Sequence, residues 1–213
     1  APIDICTPVN LIYHYACLLA PIVGKNCVIS DVGSTKGHIY DEMKNLGDSI
    51  TYIGGHPMAG SERFRYNASK EHLFENAYYI ITPAEGTDEA KTLEFKEMVE
   101  KIGAIPVIVS PYEHDYAVAA ISHVPHIIAA ALVNNVKKEY MHLLAAGGFK
   151  DITRIASSSA DMWESIMFEN KEDILSVLDS LSDVISDVKK AITDNNRDNV
   201  YNYFLDAQQY RNS

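Results

Sequence analysis

Five short runs rich in β-branched and aromatic residues fall within the first 110 positions, and none follows Pro111. They are Ile3 to Thr7, Cys27 to Asp31, Thr51 to Ile53, Tyr78 to Thr82 and Ile105 to Val109, with helical stretches around 9–21, 36–45 and 87–103 between several of them. Strands alternating with helices specify an α/β sheet, largely parallel, because a parallel neighbour needs the crossover that a helix supplies. From Pro111 onward the pattern is helical at roughly 112–121, 123–144, 159–170, 171–192 and 198–211. The fold class is α/β followed by all-α, with one domain over 1–111 and a second over 112–213.

Within the penultimate helix, Ile174, Leu178, Leu181, Ile185, Val188 and Ile192 are spaced 4, 3, 4, 3 and 4, one continuous apolar stripe. Such a stripe must be covered, either inside its own subunit or by a partner, and a homodimer through the helical half is expected. Asp179, Asp183 and Asp187 repeat on the other side and read as a solvated face.

Charge narrows the partners. Lys and Arg total 18 against 29 Asp and Glu, a formal charge of −11, which repels nucleic acid and anionic membrane surfaces. The longest uninterrupted apolar run, Ile127 to Val133, falls short of the ~20 residues of a membrane span. No signal-peptide pattern opens the chain. Cys6, Cys17 and Cys27 are odd in number and lack CxxC spacing, so they read as buried thiols in a reducing compartment, the cytoplasm.

Open α/β sheets bind ligands beyond the carboxyl ends of their strands. Thr7-Pro8 follows the first strand, Asp31-Val32-Gly33-Ser34-Thr35-Lys36-Gly37 the second, and a loop from Gly54 through His56 to Glu62 the third. Gly33, Gly37, Gly54, Gly55 and Gly60 would allow close backbone approach and positive φ. Ser34 offers a hydroxyl and His56 an imidazole able to take a proton near neutral pH. Taken singly, Ser34 could cap the helix near Lys36 and His56 could satisfy a turn; together on adjacent glycine-rich loops they indicate a site.

In the helical half, Ser122-His123-Val124-Pro125-His126 opens a helix with Ser122 as a plausible N-cap. His123 and His126 could face one pocket, and with no HExxH or other ligand set no metal is expected. In Gly147 to Ala156, Lys150 and Arg154 lie four apart, either a carboxylate clamp or a solvated helix with an Asp151 to Arg154 pair.

Taken in order, DVGSTKG at 31–37, GGHPMAGSE at 54–62, SHVPH at 122–126, GGFKDITRIA at 147–156 and Asp161-Met162-Trp163 closely resemble the prephenate dehydrogenases, over essentially the whole chain. The resemblance implies oxidative decarboxylation of prephenate to 4-hydroxyphenylpyruvate in tyrosine biosynthesis, with NAD as cofactor and NADP not excluded. It implies the C-terminal half of a Rossmann-like dinucleotide-binding sheet followed by a helical substrate-binding and dimerisation domain. By motif position His56 is the catalytic base and Ser34 orients the substrate hydroxyl. Arg154 holds the ring carboxylate with Glu62 as its ionic partner, while His126, Ser122 and Lys150 line the substrate pocket. Thr7, Pro8, Gly33 and Ser34 would face the cofactor.

The family's GxGxxG turn would precede Asp4, so the sequence is expected to lack the first part of the cofactor domain, and no regulatory domain is expected after Ser213. Two alternatives follow: a cofactor-deficient dimeric module that binds prephenate, or an arogenate dehydrogenase.

Overall fold

The computed structural model describes residues 2–24, 26–60 and 70–213. Five strands, β1 (Ile3–Ile5), β2 (Val28–Asp31), β3 (Thr51–Pro57), β4 (Tyr78–Pro83) and β5 (Ile105–Ile108), form one sheet in chain order. β1, β2 and β3 are parallel, joined by α1 (Ile12–Leu19) and α2 (Gly37–Met43); β4 and β5 are parallel, joined by α3 (Glu89–Lys101). β4 runs antiparallel to β3, the single reversal in the sheet. The expected strands are recovered to within a residue or two except β3, which continues four residues past Ile53.

That extension corrects the placement of His56. Gly54, Gly55, His56 and Pro57 pair with Thr82, Ile81, Ile80 and Tyr79 of β4, so His56 belongs to a strand and not to the loop after it.

Successive residues of a strand face opposite sides, and the sheet has a helical layer on each. Ile29 and Tyr52 pack with Ile12, Ala16, Ile39 and Met43 of α1 and α2. Val28 and Ile53, their immediate neighbours, pack with Phe95 and Val99 of α3.

The helical half begins with α4 (Pro111–Val118), whose Ser110 and Glu113 form a reciprocal capping box. A π-helical turn over Ala119–His123 leads directly into α5 (Val124–Asn134). Ser122 is therefore inside a continuous helical run and caps nothing. Pro125 lacks an N–H and crowds the preceding turn, and the widened π turn before it absorbs that defect. The expected single helix over 123–144 is broken after Asn134, with α6 (Glu139–Leu144) separate. Then come α7 (Gly147–Thr153), a 3₁₀ turn (Arg154–Ser157), α8 (Ala160–Glu169), α9 (Lys171–Thr193) and α10 (Arg197–Asn212).

Pro111–Asn134 is long and apolar enough, by length and composition, to cross a membrane, which a count of uninterrupted apolar residues misses. Its polar residues His114, Asp115 and His123 are buried against other elements of this chain, whereas Tyr112, Tyr116 and Ile121 are exposed. Ala119 and Val124 pack there with Ile174, Leu178 and Leu181 of α9.

The α9 stripe thus divides. Its first half is covered within the subunit, whereas Ile185 and Ile192 are 55% and 61% exposed. Asp179, Asp183 and Asp187 face solvent. The cysteines differ from expectation: Cys6 is exposed, and Cys17 and Cys27 are only partly buried, because α1 and the edge strand β1 cover one side each.

Candidate active site

The turn after β2 is organised by charges that the sheet has buried completely. Asp31, at the carboxyl end of β2, forms an ion pair with Lys36, and neither side chain is solvent-accessible. Asp31 also accepts the Gly33 N–H at 2.7 Å and the Tyr52 hydroxyl at 2.6 Å, so each carboxylate oxygen is bonded. A buried pair is tolerable only with such additional bonds.

Crowding explains Gly33, Gly37, Gly54 and Gly55, whereas a Cβ at Gly60 would meet nothing within 4 Å. None of Gly33, Gly37, Gly54, Gly55 and Gly60 has positive φ, contrary to one expectation; Gly47, Gly86 and Gly103 do. A Cβ at Gly55 would stand 2.6 Å from the Asp31 carbonyl oxygen and 2.7 Å from the Tyr79 hydroxyl, and one at Gly33 would stand 2.9 Å from Asp31 Oδ1. At Gly33 and Gly55 the close approach is by the chain's own atoms, whereas the expectation concerned approach to a ligand.

α2 begins at Gly37 without a side-chain cap of its own. Ser34 does not serve it. Asp115 of α4 does, accepting the Lys36 N–H on Oδ1 and the Gly37 N–H on Oδ2, each at 2.7 Å. A carboxylate at a helix N-terminus satisfies orphan donors and meets the positive end of the helix dipole.

From Asp115 a chain of rings leads to His56. His114 Nδ1 lies 2.7 Å from Asp115 Oδ1, and His56 Nδ1 lies 2.8 Å from His114 Nε2. An ionised carboxylate only accepts, so His114 Nδ1 carries a hydrogen and, in the neutral ring, Nε2 accepts. His56 Nδ1–H is then the donor, which leaves its Nε2 lone pair without a partner among the described residues. Burial, the nearby His114 ring, the Lys36 cation and His123 together hold the His56 pKa well below the usual histidine value. It is neutral near pH 7, as a base must be before it acts.

His123 is also buried. Asn170 Nδ2 donates to the Asp115 carbonyl at 2.8 Å and to His123 Nδ1 at 3.2 Å. Burial first, then the His114 and His126 rings against the opposing pull of Asp115, bring His123 down to about 4.

His126 donates from Nδ1 to the Ser122 carbonyl at 2.9 Å and stacks on Trp163 at 3.7 Å between ring centroids. Burial lowers its pKa too.

Two cavities lie against α8; His126 lines one of them, and His56, His114 and Asp115 line neither. One, of about 660 Å³, is walled by Thr7, Pro8, Gly33 and Ser34 on the sheet side and by Ser159, Met162 and Ser165 on α8. All four residues expected to face the cofactor therefore share one cavity, and the buried Thr7 Oγ1 and Ser165 Oγ have no partner among the described residues. Such orphans suit a ligand rich in hydrogen-bonding groups. The second, of about 250 Å³, lies under His126 and Trp163 and shares Ser159 with the first. The Trp163 Nε1–H, also buried, is likewise without a partner among the described residues.

The structure does not bring every expected residue together. Arg154 and Lys150 are exposed, on the 3₁₀ turn and on α7, and neither lines the two cavities. Glu62 lies outside the described residues. His56 bonds to His114 and not to Ser34, although both stand at the carboxyl edge of neighbouring strands. Among the described residues no cluster could hold a metal ion. Sequence reasoning missed His114, Asp115 and Asn170. The run Glu113-His114-Asp115 in the first turns of α4 was the available signal.

Residues 3–108 match the family described as prephenate dehydrogenase, nucleotide-binding domain, and residues 110–206 the prephenate dehydrogenase dimerization domain. The chain belongs to the prephenate dehydrogenase family. It is 42% identical over 190 residues to the prephenate dehydrogenase of Bacillus subtilis, covering 86% of this chain and 51% of that relative, so it spans about half that protein's length. Among solved structures, prephenate dehydrogenase from A. aeolicus in complex with hydroxyphenyl propionate and NAD+ superposes with a TM-score of 0.90 at 30% identity, covering 99% of this chain and 75% of that one. Synechocystis arogenate dehydrogenase superposes at 0.88 with 27% identity, covering 99% and 78%. A Rossmann-like α/β half followed by a helical half is thus the family architecture.

Proposed function

We propose that this chain carries the chemistry of a prephenate dehydrogenase, the oxidative decarboxylation of prephenate to 4-hydroxyphenylpyruvate, in the cytoplasm. The observation that carries the reading is His56: a neutral imidazole whose Nδ1 is engaged by His114 and whose Nε2 has no partner among the described residues, on the strand next to the one that leads into Gly33 and Ser34.

The cavity's main-chain approach at Gly33 and the unpartnered Thr7 and Ser165 hydroxyls suit a dinucleotide, NAD by analogy with the A. aeolicus complex. When bound it would supply the hydride acceptor. His56 Nε2 takes the proton of the substrate's ring hydroxyl, which pushes electron density toward the carbon losing hydride. Ser34 orients that hydroxyl. Cleavage of the ring carboxylate as carbon dioxide leaves its electron pair to complete the aromatic ring, and the proton held by His56 returns to the phenol oxygen. His126, Ser122 and the Trp163 N–H line the substrate end. Arg154, with Lys150 behind it and Glu62 as counter-ion, would engage the ring carboxylate. On this reading the division falls near 111, with a dinucleotide-binding unit over 1–111 and a substrate-binding and dimerisation unit over 112–213.

The Synechocystis structure supports arogenate as the second substrate reading, since the two compounds differ only at the side-chain keto or amino group. Turnover with each substrate decides between them. In the protein that contains this chain, His56→Asn should lower kcat by about 10² to 10⁴ and leave KM within a few-fold, the usual worth of a general base. Near-normal turnover would remove His56 from the mechanism.

A further inference from the structure

The base proposed above is only useful if the correct ring nitrogen is unprotonated. Which nitrogen of a histidine carries the hydrogen is set by the bond the other one makes. A histidine left to water prefers its hydrogen on Nε2, the wrong arrangement here, because Nε2 is the atom that must accept. We propose that His114 and Asp115 are the positioning pair of this site: Asp115 fixes the tautomer of His114, and His114 fixes the tautomer of His56, so that the Nε2 lone pair is presented to the substrate hydroxyl. This rests on His56 being the base, and it adds two residues that act through it.

Three observations support the pair beyond their spacing. The first is rigidity at the far end. Asp115 holds two main-chain N–H groups of α2 as well as His114, so its oxygens cannot rotate away without uncapping the helix. His114 and Asp115 are 2% and 4% exposed, and water cannot readily replace either as a partner. The planes of the His56 and His114 rings are turned 76° apart with centroids 5.0 Å apart, and the contact between them is made nitrogen to nitrogen at 2.8 Å.

The second is charge. Asp31 and Lys36 cancel each other as an ion pair. Asp115 has no lysine or arginine bonded to it among the described residues; its partners are two main-chain N–H groups and the His114 ring. When His56 accepts a proton, the new positive charge is connected through His114 to an uncancelled carboxylate. Lys36 and His123, which also face His56, oppose that charge, and Asp115 is the carboxylate joined to His56 through the hydrogen-bonded chain. Counter-charge fixed in advance of the step costs no reorganisation when the step occurs.

The third is origin. His56 comes from β3 and the pair from α4, so the orientation of the base depends on how the helical half is seated on the sheet. Asn170, at the α8–α9 junction, donates to the Asp115 carbonyl and holds this part of α4 in place.

The test reads tautomers by ¹⁵N NMR of the imidazole nitrogens in this chain without substrate, a measurement that does not depend on dehydrogenase activity. In the unaltered chain His56 and His114 should both carry hydrogen on Nδ1. His114→Phe removes the acceptor and should move His56 mainly to the Nε2–H form, while His114→Gln, which keeps an acceptor oxygen, should restore Nδ1–H. Turnover of prephenate should fall about 10²-fold in His114→Phe with KM within a few-fold, and recover in part in His114→Gln. Finding His56 as Nε2–H in the unaltered chain overturns the proposal, and this holds even if a variant fails to fold. An unchanged tautomer in His114→Phe also overturns it. Tautomers as expected without any turnover of prephenate or arogenate would instead count against the proposed function.

Discussion

Acid should unfold this chain through His123 before the carboxylates matter, and the effect can be sized. Nδ1 of His123 accepts from Asn170, whose amide nitrogen is fixed in orientation by its second bond to the Asp115 carbonyl. A proton on Nδ1 would place two donors face to face in a site that is 1% exposed. Burial above all, with the His114 and His126 rings, holds the folded pKa at about 4, against an ordinary value of 6.5. Below the ordinary value the unfolded chain binds a proton that the folded chain refuses, so stability falls as pH drops through the window from 6.5 to about 4, and the loss levels off below it. At one pKa unit per 1.36 kcal/mol the full window is worth roughly 3 kcal/mol, of which about 2.5 is lost between about pH 7 and pH 4.5.

The measurement is urea unfolding of the unaltered chain and of His123→Phe at both pH values. Other groups titrate in both proteins and cancel in the difference between them. The unaltered chain should lose about 2 to 3 kcal/mol more than the variant on acidification. Equal losses would mean that His123 is not held neutral by its surroundings, and the Asn170 argument would fall with it.

Gly55→Ala forces a Cβ to 2.6 Å from the Asp31 carbonyl and should cost about 3 kcal/mol or more in thermal or urea unfolding, while Gly60→Ala, whose Cβ meets nothing, should stay within about 0.5 kcal/mol. Arg154→Ala should raise KM for prephenate far more than it lowers kcat, because a carboxylate clamp acts in the ground state too; a loss of stability alone would favour the solvated-surface reading. Phe204→Glu, at a residue 63% exposed, should convert a dimer to monomer in sedimentation equilibrium without unfolding it, whereas Leu181→Glu strikes the subunit's own core and should unfold it. A stable monomer of the unaltered chain at tens of micromolar would refute the dimer.

Much of the fold was legible because its signals are local. Strand runs, helix stripes and the change at Pro111 are patterns within a few residues of one another, and by themselves they place Thr7, Pro8, Gly33 and Ser34 on one sheet edge. Strand direction is not local: Tyr78 to Pro83 reads alike whichever way it runs, and only pairing with β3 reveals the reversal and carries the strand on through Gly54 and Gly55 to His56. The glycines were legible as a need for space, but whether that need was conformational or steric depended on Asp31 and Tyr79, which approach from other elements.

His114 and Asp115 were illegible for a deeper reason. A helix residue that caps another helix 78 positions earlier leaves no periodic trace, and its acidity looks like any surface charge until the fold buries it. The change in composition at Pro111 invites a division of labour, with the sheet binding cofactor and the helices binding substrate and partner. The bonds cross that division. Asp115 closes the N-terminus of α2, which belongs to the sheet half, and His114 reaches back to the base on β3. At the far end of the same contact His38 of α2 meets Glu169 of α8 at 2.6 Å. A shift of the helical half relative to the sheet would break the Asp115 cap and the His56 tautomer lock together. The seating of the two halves and the basicity of His56 are in this way one variable, and a substitution that loosens the seating, such as at Asn170, should lower turnover even though it touches neither cavity wall.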